Sequence, residues 1–226
     1  MNFHIRTFFG NKNYLGRRFA VFLTGLFICS FGVACTTKAS LGTSPIAAIP
    51  YTLSLILPNL SFGTWLILFG MAQILVQIIL LRNRCVRSEL VIQFILAFAF
   101  GYLTDFSMYL LRSVTPEHYG IKLLLLFIGC YVLAFGVYLE LLGDVGMLSG
   151  DAFIKAIAQV TGKSYSNIKI ITDVSMTLLS GLLCVVFLGR LEGVREGTIL
   201  AALLVGPIIK AYQKALKNLS SSLFPA

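Results

Sequence analysis

The sequence predicts an all-α membrane protein with six transmembrane helices and two short helices, arranged as two inverted-topology repeats of three spans. Three observations lead to this fold class: the chain carries little charge, it contains long apolar stretches, and its two halves resemble each other at a constant spacing. Of its 226 residues, 58% are hydrophobic and 12% are charged, whereas soluble domains carry about 25% charged residues. Most of the surface is therefore expected to face lipid rather than water.

Six apolar segments approach or exceed the roughly 18–20 residues with which a helix crosses a bilayer. Two further segments, Pro45–Leu57 and Gly150–Thr161, are too short to cross it. The long segments do not alternate apolar and polar residues as a β-barrel would, so helices that satisfy their own backbone hydrogen bonds are expected. The six predicted spans are Phe19–Thr37, Phe62–Leu81, Leu90–Leu111, Ile121–Leu142, Ile168–Leu188 and Val194–Ala215.

The chain has a net charge of +9, and its basic residues are unevenly distributed between the predicted loops. Cytoplasmic loops of membrane proteins carry an excess of lysine and arginine, and this distribution predicts that both termini are cytoplasmic. The same bias explains the charge without a nucleic-acid partner. The expected partners are the lipid bilayer and a small solute, and a homodimer is left open. With this orientation, only five of the 18 basic residues face outward: Lys38, Arg112, Lys122, Arg190 and Arg195.

Three sequence signals occur twice, in the same order and at almost the same spacing. The first is GLFICSFGVA, which begins at Gly25 and returns as GCYVLAFGVY at Gly129, 104 residues later. The motif ILAFAFG begins at Ile95 and returns as ILAALLVG at Ile199 with the same spacing. Between them, TSPIAAI and LSGDAFI begin 105 residues apart, at positions 43 and 148. This agreement indicates an internal duplication.

The duplication divides the chain into two membrane repeats, residues 17–112 and 121–216. A cytoplasmic N-terminal segment (1–16), an external connecting loop (113–120) and a cytoplasmic C-terminal tail (217–226) complete the predicted organisation. Each repeat contributes three spans and one short helix. Because three is odd, the second repeat must enter the membrane upside down. Inverted repeats are an architecture of secondary transporters, whose solute site lies near mid-membrane at the repeat interface.

The two short helices carry the predicted solute site. In the second repeat, Ser149 is expected to be the N-cap, with Gly150 and Asp151 in the first turn, where an acid complements the helix dipole. In the first repeat, Ser44 is the matching cap.

A proline occupies the first helical position after Ser44, where a missing N–H costs nothing, and Pro50 is expected to kink or end this helix early. Such helix ends favour polar or anionic groups. The alternative is a pair of interfacial helices with ordinary caps. The predicted solute-binding residues are Thr43, Ser44, Pro45, Ser149, Gly150 and Asp151.

Three acids lie within predicted spans, where an ionisable group is costly and therefore a functional candidate. Asp173, Glu140 and Asp105 are the candidates for coupling transport to a proton or cation, and Asp173 is favoured because it lies inside the fifth span. Asp105 and Glu140 lie closer to span ends and could reach an interface. Gln73 and Gln77 share one helix face, and a hydrogen bond between helices is the preferred interpretation for them.

The sequence shows no signature of an enzyme, a cofactor site or a metal site. It has no G-x-S-x-G, HExxH or Walker motif, so no catalytic residue, cofactor or metal ligand is predicted. The five cysteines form no CxxC and are interpreted as small hydrophobic residues, most of them within spans. They are Cys29, Cys35, Cys85, Cys130 and Cys184.

Several of these motifs resemble the YitT/YczE-like bacterial inner-membrane proteins, and the YczE-like branch in particular. The resemblance extends from Arg17 to Tyr212. It implies a multi-pass protein of the bacterial inner membrane, with transport as the expected activity, and some members of that group are linked to export or antibiotic production. It supplies no substrate and no catalytic residues. The motifs that carry it are LGTSPIAAIP (Leu41–Pro50), FGVYLE (Phe135–Glu140), GMLSGDAF (Gly146–Phe153) and VREGTILAALLVG (Val194–Gly206).

The function expected from the sequence is secondary transport of a small polar solute or ion by alternating access at the repeat interface. Two alternatives remain open: a membrane-embedded regulator that binds another protein and transports nothing, and a passive channel. A transporter needs a polar site that water can reach at mid-membrane, whereas a regulator could have a dry core.

Overall fold

The computed structural model describes residues 15–82 and 86–216, and within these residues the chain is all-α. Cys85, the tail 217–226 and most of the segment 1–16 lie outside the described residues. A π-helical turn, Cys184–Leu188, extends the seventh helix. The eight α-helices of the described part are α1 (Leu15–Lys38), α2 (Pro45–Ile56), α3 (Phe62–Leu81), α4 (Arg87–Leu110), α5 (Tyr119–Gly143), α6 (Ser149–Thr161), α7 (Tyr165–Leu183) and α8 (Glu196–Ala215).

Five helices of the described part are long and apolar enough to cross a membrane: α1, α3, α4, α5, and α7 together with its π-helical turn. Their outward faces carry large apolar side chains such as Ile79 and Leu178, as expected of a multi-pass membrane protein. The sixth predicted span corresponds to α8, which has 20 residues but is not among the five. Glu196, Lys210 and Lys214 reduce its apolar character. A sixth span therefore stays a prediction.

The two short elements form as expected, with 12 residues in α2 and 13 in α6. One detail of α2 differs from the sequence expectation, because the helix does not end early at Pro50 but continues to Ile56. A proline in the second turn removes only one backbone hydrogen bond. Ala47, Ala48 and Thr52 are buried around it, and this packing maintains the helix.

Helices α1 and α5 form an antiparallel pair at the centre of the molecule, and glycines let their backbones touch. A Cβ atom placed on Gly32 would lie 2.6 Å from the Cα of Leu133, and one placed on Gly136 would lie 2.6 Å from the Cα of Cys29. Real Cβ atoms essentially never come so close to backbone. Small residues of this kind are the usual device for close helix packing in membranes.

The remaining helices pack around this pair in corresponding ways. Helix α4 packs on α1, as α8 packs on α5. Helix α2 packs on α7, as α6 packs on α3. One relation is unequal: α3 and α4 pack closely where Gly63 meets Gly101, whereas α7 and α8 have far less contact in the described part of the chain.

Candidate functional site

The N-terminal ends of the two short helices meet in the interior. Pro45 and Ile46 open α2, while Ser149 and Gly150 open α6. A Cβ atom placed on Gly150 would collide with the Cδ1 of Ile46, so the second residues of the two helices are in direct contact. The structure therefore brings together the two segments that the sequence proposed as a shared site. This meeting point of the two short helices is called the junction below.

Neither of these helices is capped by a side chain. Ser44 holds the N-cap position of α2 and Pro45 follows it at the helix start, as predicted, but the Ser44 side chain makes no capping hydrogen bond. Its Oγ is buried and has no partner. The expectation that Ser149 caps α6 is wrong, because Leu148 holds the N-cap position and Ser149 is the first helical residue. The Ser149 hydroxyl instead donates to the Oε1 of Gln73, 3.2 Å away.

Two glutamines of α3 hold the start of α6. Besides the bond between Ser149 and Gln73, the Nε2 of Gln77 donates to the Ser149 carbonyl oxygen at 3.2 Å. These are the predicted bonds between helices. Gln73 was not among the predicted site residues, yet its Nε2 is buried without a partner and lies 3.8 Å from a Cβ position on Gly150. The sequence feature that could have indicated this role is the polar amide of Gln73 within a strongly apolar helix.

Thr43 has a structural contact of its own. Its side chain is fully buried, and its Oγ1 lies 3.0 Å from the Oγ1 of Thr37 at the end of α1. The hydroxyl of Thr43 therefore ties the connection between α1 and α2 to α1. Among Thr43, Ser44 and Pro45, the residues predicted in the first repeat, Ser44 is the one whose side-chain oxygen has no hydrogen-bond partner at the junction.

One predicted acid, Asp151, lies beside the junction and is within electrostatic range of two others. Asp151 lies in the first turn of α6, and its Oδ1 accepts a hydrogen bond from the Tyr165 hydroxyl at 3.0 Å. Asp151 is also close enough to Glu140 and Asp173 for electrostatic interaction. Within the described residues, no group of three or more His, Cys, Asp or Glu side chains could hold a metal ion.

The partners of these acids differ. Asp173, the acid that the sequence favoured, forms a salt bridge of 3.2 Å with Lys169 one turn earlier in α7. Glu140, in the last turn of α5, contacts Cys29 of α1, and its Oε1 is buried without a hydrogen-bond partner. A buried carboxylate with only a thiol beside it and one oxygen unpaired is costly unless a proton or a cation accompanies it. Glu140 is therefore the stronger candidate for coupling.

Asp105 lies apart from the other three acids and has a structural role. It accepts a hydrogen bond from the backbone N–H of Gly63 at 2.7 Å and another from the Ser61 hydroxyl. These bonds tie the end of α4 to the first turn of α3. A carboxylate at a helix N-terminus stabilises the exposed N–H groups and the dipole. The structure thus supports a capping role for Asp105 rather than a coupling role.

Comparison with known proteins gives one match. No curated protein and no solved structure matches the chain significantly. A family model does match, over residues 16–214, which include the junction and all four predicted acids. This match neither shows nor contradicts the resemblance to YitT/YczE-like proteins. The chain belongs to DUF6198, a family of unknown function.

Proposed function

We propose that the protein is a secondary transporter of a small polar solute or ion across the bacterial inner membrane, working by alternating access between two inverted repeats. The observation that carries this proposal is the junction: two buried helix N-termini without side-chain caps meet beside the unpaired polar atoms of Ser44 and Gln73. Free N–H groups at helix ends bind polar or anionic groups. No enzymatic role is part of the proposal.

The helix contacts support an inverted repeat. Gly32 touches the backbone of Leu133, and Gly136 touches the backbone of Cys29. Gly136 lies 104 residues after Gly32, and Cys29 lies 104 residues before Leu133. The second contact is therefore the first contact with the two halves exchanged. A two-fold rotation that exchanges the halves produces such pairs. The matching neighbours of α1 and α5 agree with the same rotation.

The junction lies where this axis would pass. Ile46 and Gly150 are themselves 104 residues apart, so exchanging the halves turns their contact into itself. With three spans per repeat the axis lies in the membrane plane, and the junction is then at mid-depth, where solute sites of such transporters lie. In this arrangement α8 is the sixth span and both termini are cytoplasmic.

The neighbouring acids supply a means of coupling. Asp151 follows Gly150 directly in α6 and interacts with Glu140. A proton or cation bound between Asp151 and Glu140 would compensate the charge of these carboxylates. It would be carried across the membrane when the two repeats change their relative position. The transport step would then be driven by the gradient of that ion.

A passive channel is the second candidate, and the same junction favours it. Two opposed positive helix ends in a pore would repel cations while letting neutral or anionic solutes through. A channel equilibrates its solute, whereas a coupled transporter accumulates it. A regulator that only binds another protein would do neither.

Proteoliposomes distinguish these functions. A thermal-shift screen of the purified protein against metabolites first identifies a ligand, because a ligand that binds the folded state raises its apparent stability. Uptake of that ligand is then followed with and without an imposed ion gradient. Accumulation above the external concentration supports the transporter. Equilibration alone indicates the channel, and absence of flux contradicts both.

The contact at the junction can be tested by cross-linking. On a cysteine-free background, Ile46→Cys with Gly150→Cys is expected to form a disulfide on mild oxidation, because the two side-chain positions are in contact and disulfides need Cβ atoms about 3.5–4.5 Å apart. The control pair, Ile46→Cys with Thr161→Cys at the far end of α6, should stay reduced. Equal cross-linking of both pairs, or of neither, would contradict the junction.

The topology has its own test. Single cysteines at positions 10 and 220 are expected to react with a membrane-impermeant reagent only after the cells are opened, because both termini are proposed to be cytoplasmic. A cysteine at position 116, in the proposed external loop, is the control and should react in intact cells. If position 220 reacts in intact cells while position 10 does not, α8 does not cross the membrane and the six-span arrangement is wrong.

A further inference from the structure

We propose that the group recognised at the junction is a carboxylate, so that the solute is a small organic monoanion. The carboxylate would accept hydrogen bonds from backbone N–H groups at the starts of α2 and α6, from the Nε2 of Gln73 and from the hydroxyl of Ser44. This inference rests on the proposed function for its physiological meaning, but it concerns binding and can be tested without transport.

The first observation is that both buried helix starts leave backbone N–H groups without a side-chain cap. In α6 these are the N–H groups of the first turn. In α2 only the N–H of Ile46 remains, because Pro45 has none and Ala47 donates to the Ser44 carbonyl oxygen at 3.0 Å.

The first N–H groups of a helix have no partner within it and are normally satisfied by a cap, by water or by a ligand. Helices α3 and α7 are capped by Ser61 and Ser164. Helices α2 and α6 have no side-chain cap, although Ser44 and Ser149 are only 6% and 7% exposed. Leaving buried donors unpaired is costly, and a bound acceptor would remove this cost.

The second observation is independent of the helix ends and points to the same ligand. The side chain of Gln73 is 6% exposed, and its Oε1 is occupied by the hydroxyl of Ser149. The remaining Nε2 can only donate, has no partner, and lies beside Gly150 at the junction. The unpaired hydroxyl of Ser44 adds a second side-chain donor at the start of the other short helix.

The kind of donor narrows the class of anion. The unpaired donors identified at the junction, among the described residues, are an amide, a hydroxyl and backbone N–H groups, without an arginine or a lysine. Dianions such as phosphate are usually held by those basic side chains, so a monoanion with two acceptor oxygens fits better. Asp151 does not oppose this assignment, because its Oδ1 is engaged by Tyr165 on α7 and a cation or proton at Asp151 and Glu140 would compensate the anion.

Thermal unfolding of the purified full-length protein in detergent tests the inference. The probes are acetate, lactate and benzoate, each compared with its neutral amide, together with ethylammonium chloride and inorganic phosphate at equal ionic strength. At least one carboxylate is expected to raise the unfolding temperature with saturation, and its amide is not. Stabilisation by an amide or by ethylammonium as strong as by the best carboxylate would overturn the inference. Stabilisation by phosphate alone would also overturn it.

A matched pair of variants assigns the binding to the junction. Gln73→Leu and Gln77→Leu each remove one bond to Ser149, so both should lower stability, but only Gln73→Leu removes a donor from the junction. The carboxylate affinity of Gln73→Leu is expected to fall about ten- to hundredfold, and that of Gln77→Leu, which loses a bond that positions the start of α6, to fall clearly less. Unchanged affinity in Gln73→Leu contradicts the inference.

A second variant keeps the test decisive if Gln73→Leu does not fold. Ser44 makes no hydrogen bond through its side chain, so Ser44→Ala should fold normally and still lose about tenfold in carboxylate affinity. Binding and flux separate the two proposals. A carboxylate that binds in a Ser44-dependent way without any flux refutes transport alone. An ammonium compound that binds and accumulates refutes the carboxylate alone.

Discussion

Replacing Gly32 or Gly136 by alanine is expected to destabilise the protein strongly, and replacing both is expected to prevent folding. The added methyl group would lie 2.6 Å from the Cα of Leu133 in one case and of Cys29 in the other. The obstacle is backbone, so no side-chain rotation can relieve it and α1 must separate from α5. Overpacking of this kind costs about 1–3 kcal/mol per site. The unfolding temperature in detergent and the yield of monodisperse protein measure the effect.

The chain offers a matched control for these two variants. Gly16 and Gly120 are also 104 residues apart, each is the second residue of its helix, and a Cβ atom on either has nothing within 4 Å. Alanine at these positions should leave stability unchanged or raise it by up to about 1 kcal/mol, because alanine favours helix over glycine. If the control variants lose as much stability as the core variants, the close packing of α1 on α5 is not the cause. The proposed repeat also leads us to expect similar losses of stability at Gly32 and Gly136.

Much of the fold could be predicted because lipid leaves few alternatives to a helix. The apolar segments located the five apolar spans, and the spacing of 104 residues anticipated the element order. Helices α1 and α5 begin 104 residues apart, as do α2 and α6. The assignment was weakest for α8, whose polar residues leave it outside the helices that are apolar enough to cross. A crossing by α8 stays a proposal, and it would depend on packing along α5 rather than on composition.

The candidate site was only partly predictable, because helix ends depend on partners that are distant in sequence. The pattern around Ser149 is that of an N-cap, but Gln73, 76 residues earlier, offers its hydroxyl a different acceptor. In the sequence, Asp105 resembles a buried functional acid. In the structure it accepts a hydrogen bond from Gly63 at the start of α3, 42 residues away. The pairing of Lys169 with Asp173 could have been recognised from their spacing of four. The unpaired oxygen of Glu140 could not have been recognised from the sequence, because the packing of other helices around α5 determines which groups lie beside it.

Replacing Glu140 by glutamine is expected to abolish accumulation driven by an ion gradient while leaving exchange of solute intact. Glutamine keeps the shape of the side chain but can no longer carry a proton or neutralise a cation. If one proton moves with each solute, a pH difference of one unit supports accumulation of about tenfold at most. In proteoliposomes containing Glu140→Gln, that accumulation should disappear, whereas exchange of labelled for unlabelled solute should continue. Stability should not fall, because the buried Oε1 has no hydrogen-bond partner to lose and the glutamine carbonyl oxygen can still accept from the Cys29 thiol that Glu140 contacts.

Asp105→Asn is the matched control, since it also removes one carboxylate from a span. It weakens the bonds that cap α3, so it should lower stability by about 1–2 kcal/mol and leave accumulation per folded molecule unchanged. The two acids would thus show opposite behaviour: coupling without a stability cost for Glu140, and stability without coupling for Asp105. Full accumulation by Glu140→Gln would remove Glu140 from the mechanism. Loss of accumulation in Asp105→Asn as well would mean that any change of charge in these helices disturbs transport, and that the unpaired oxygen of Glu140 has no special role.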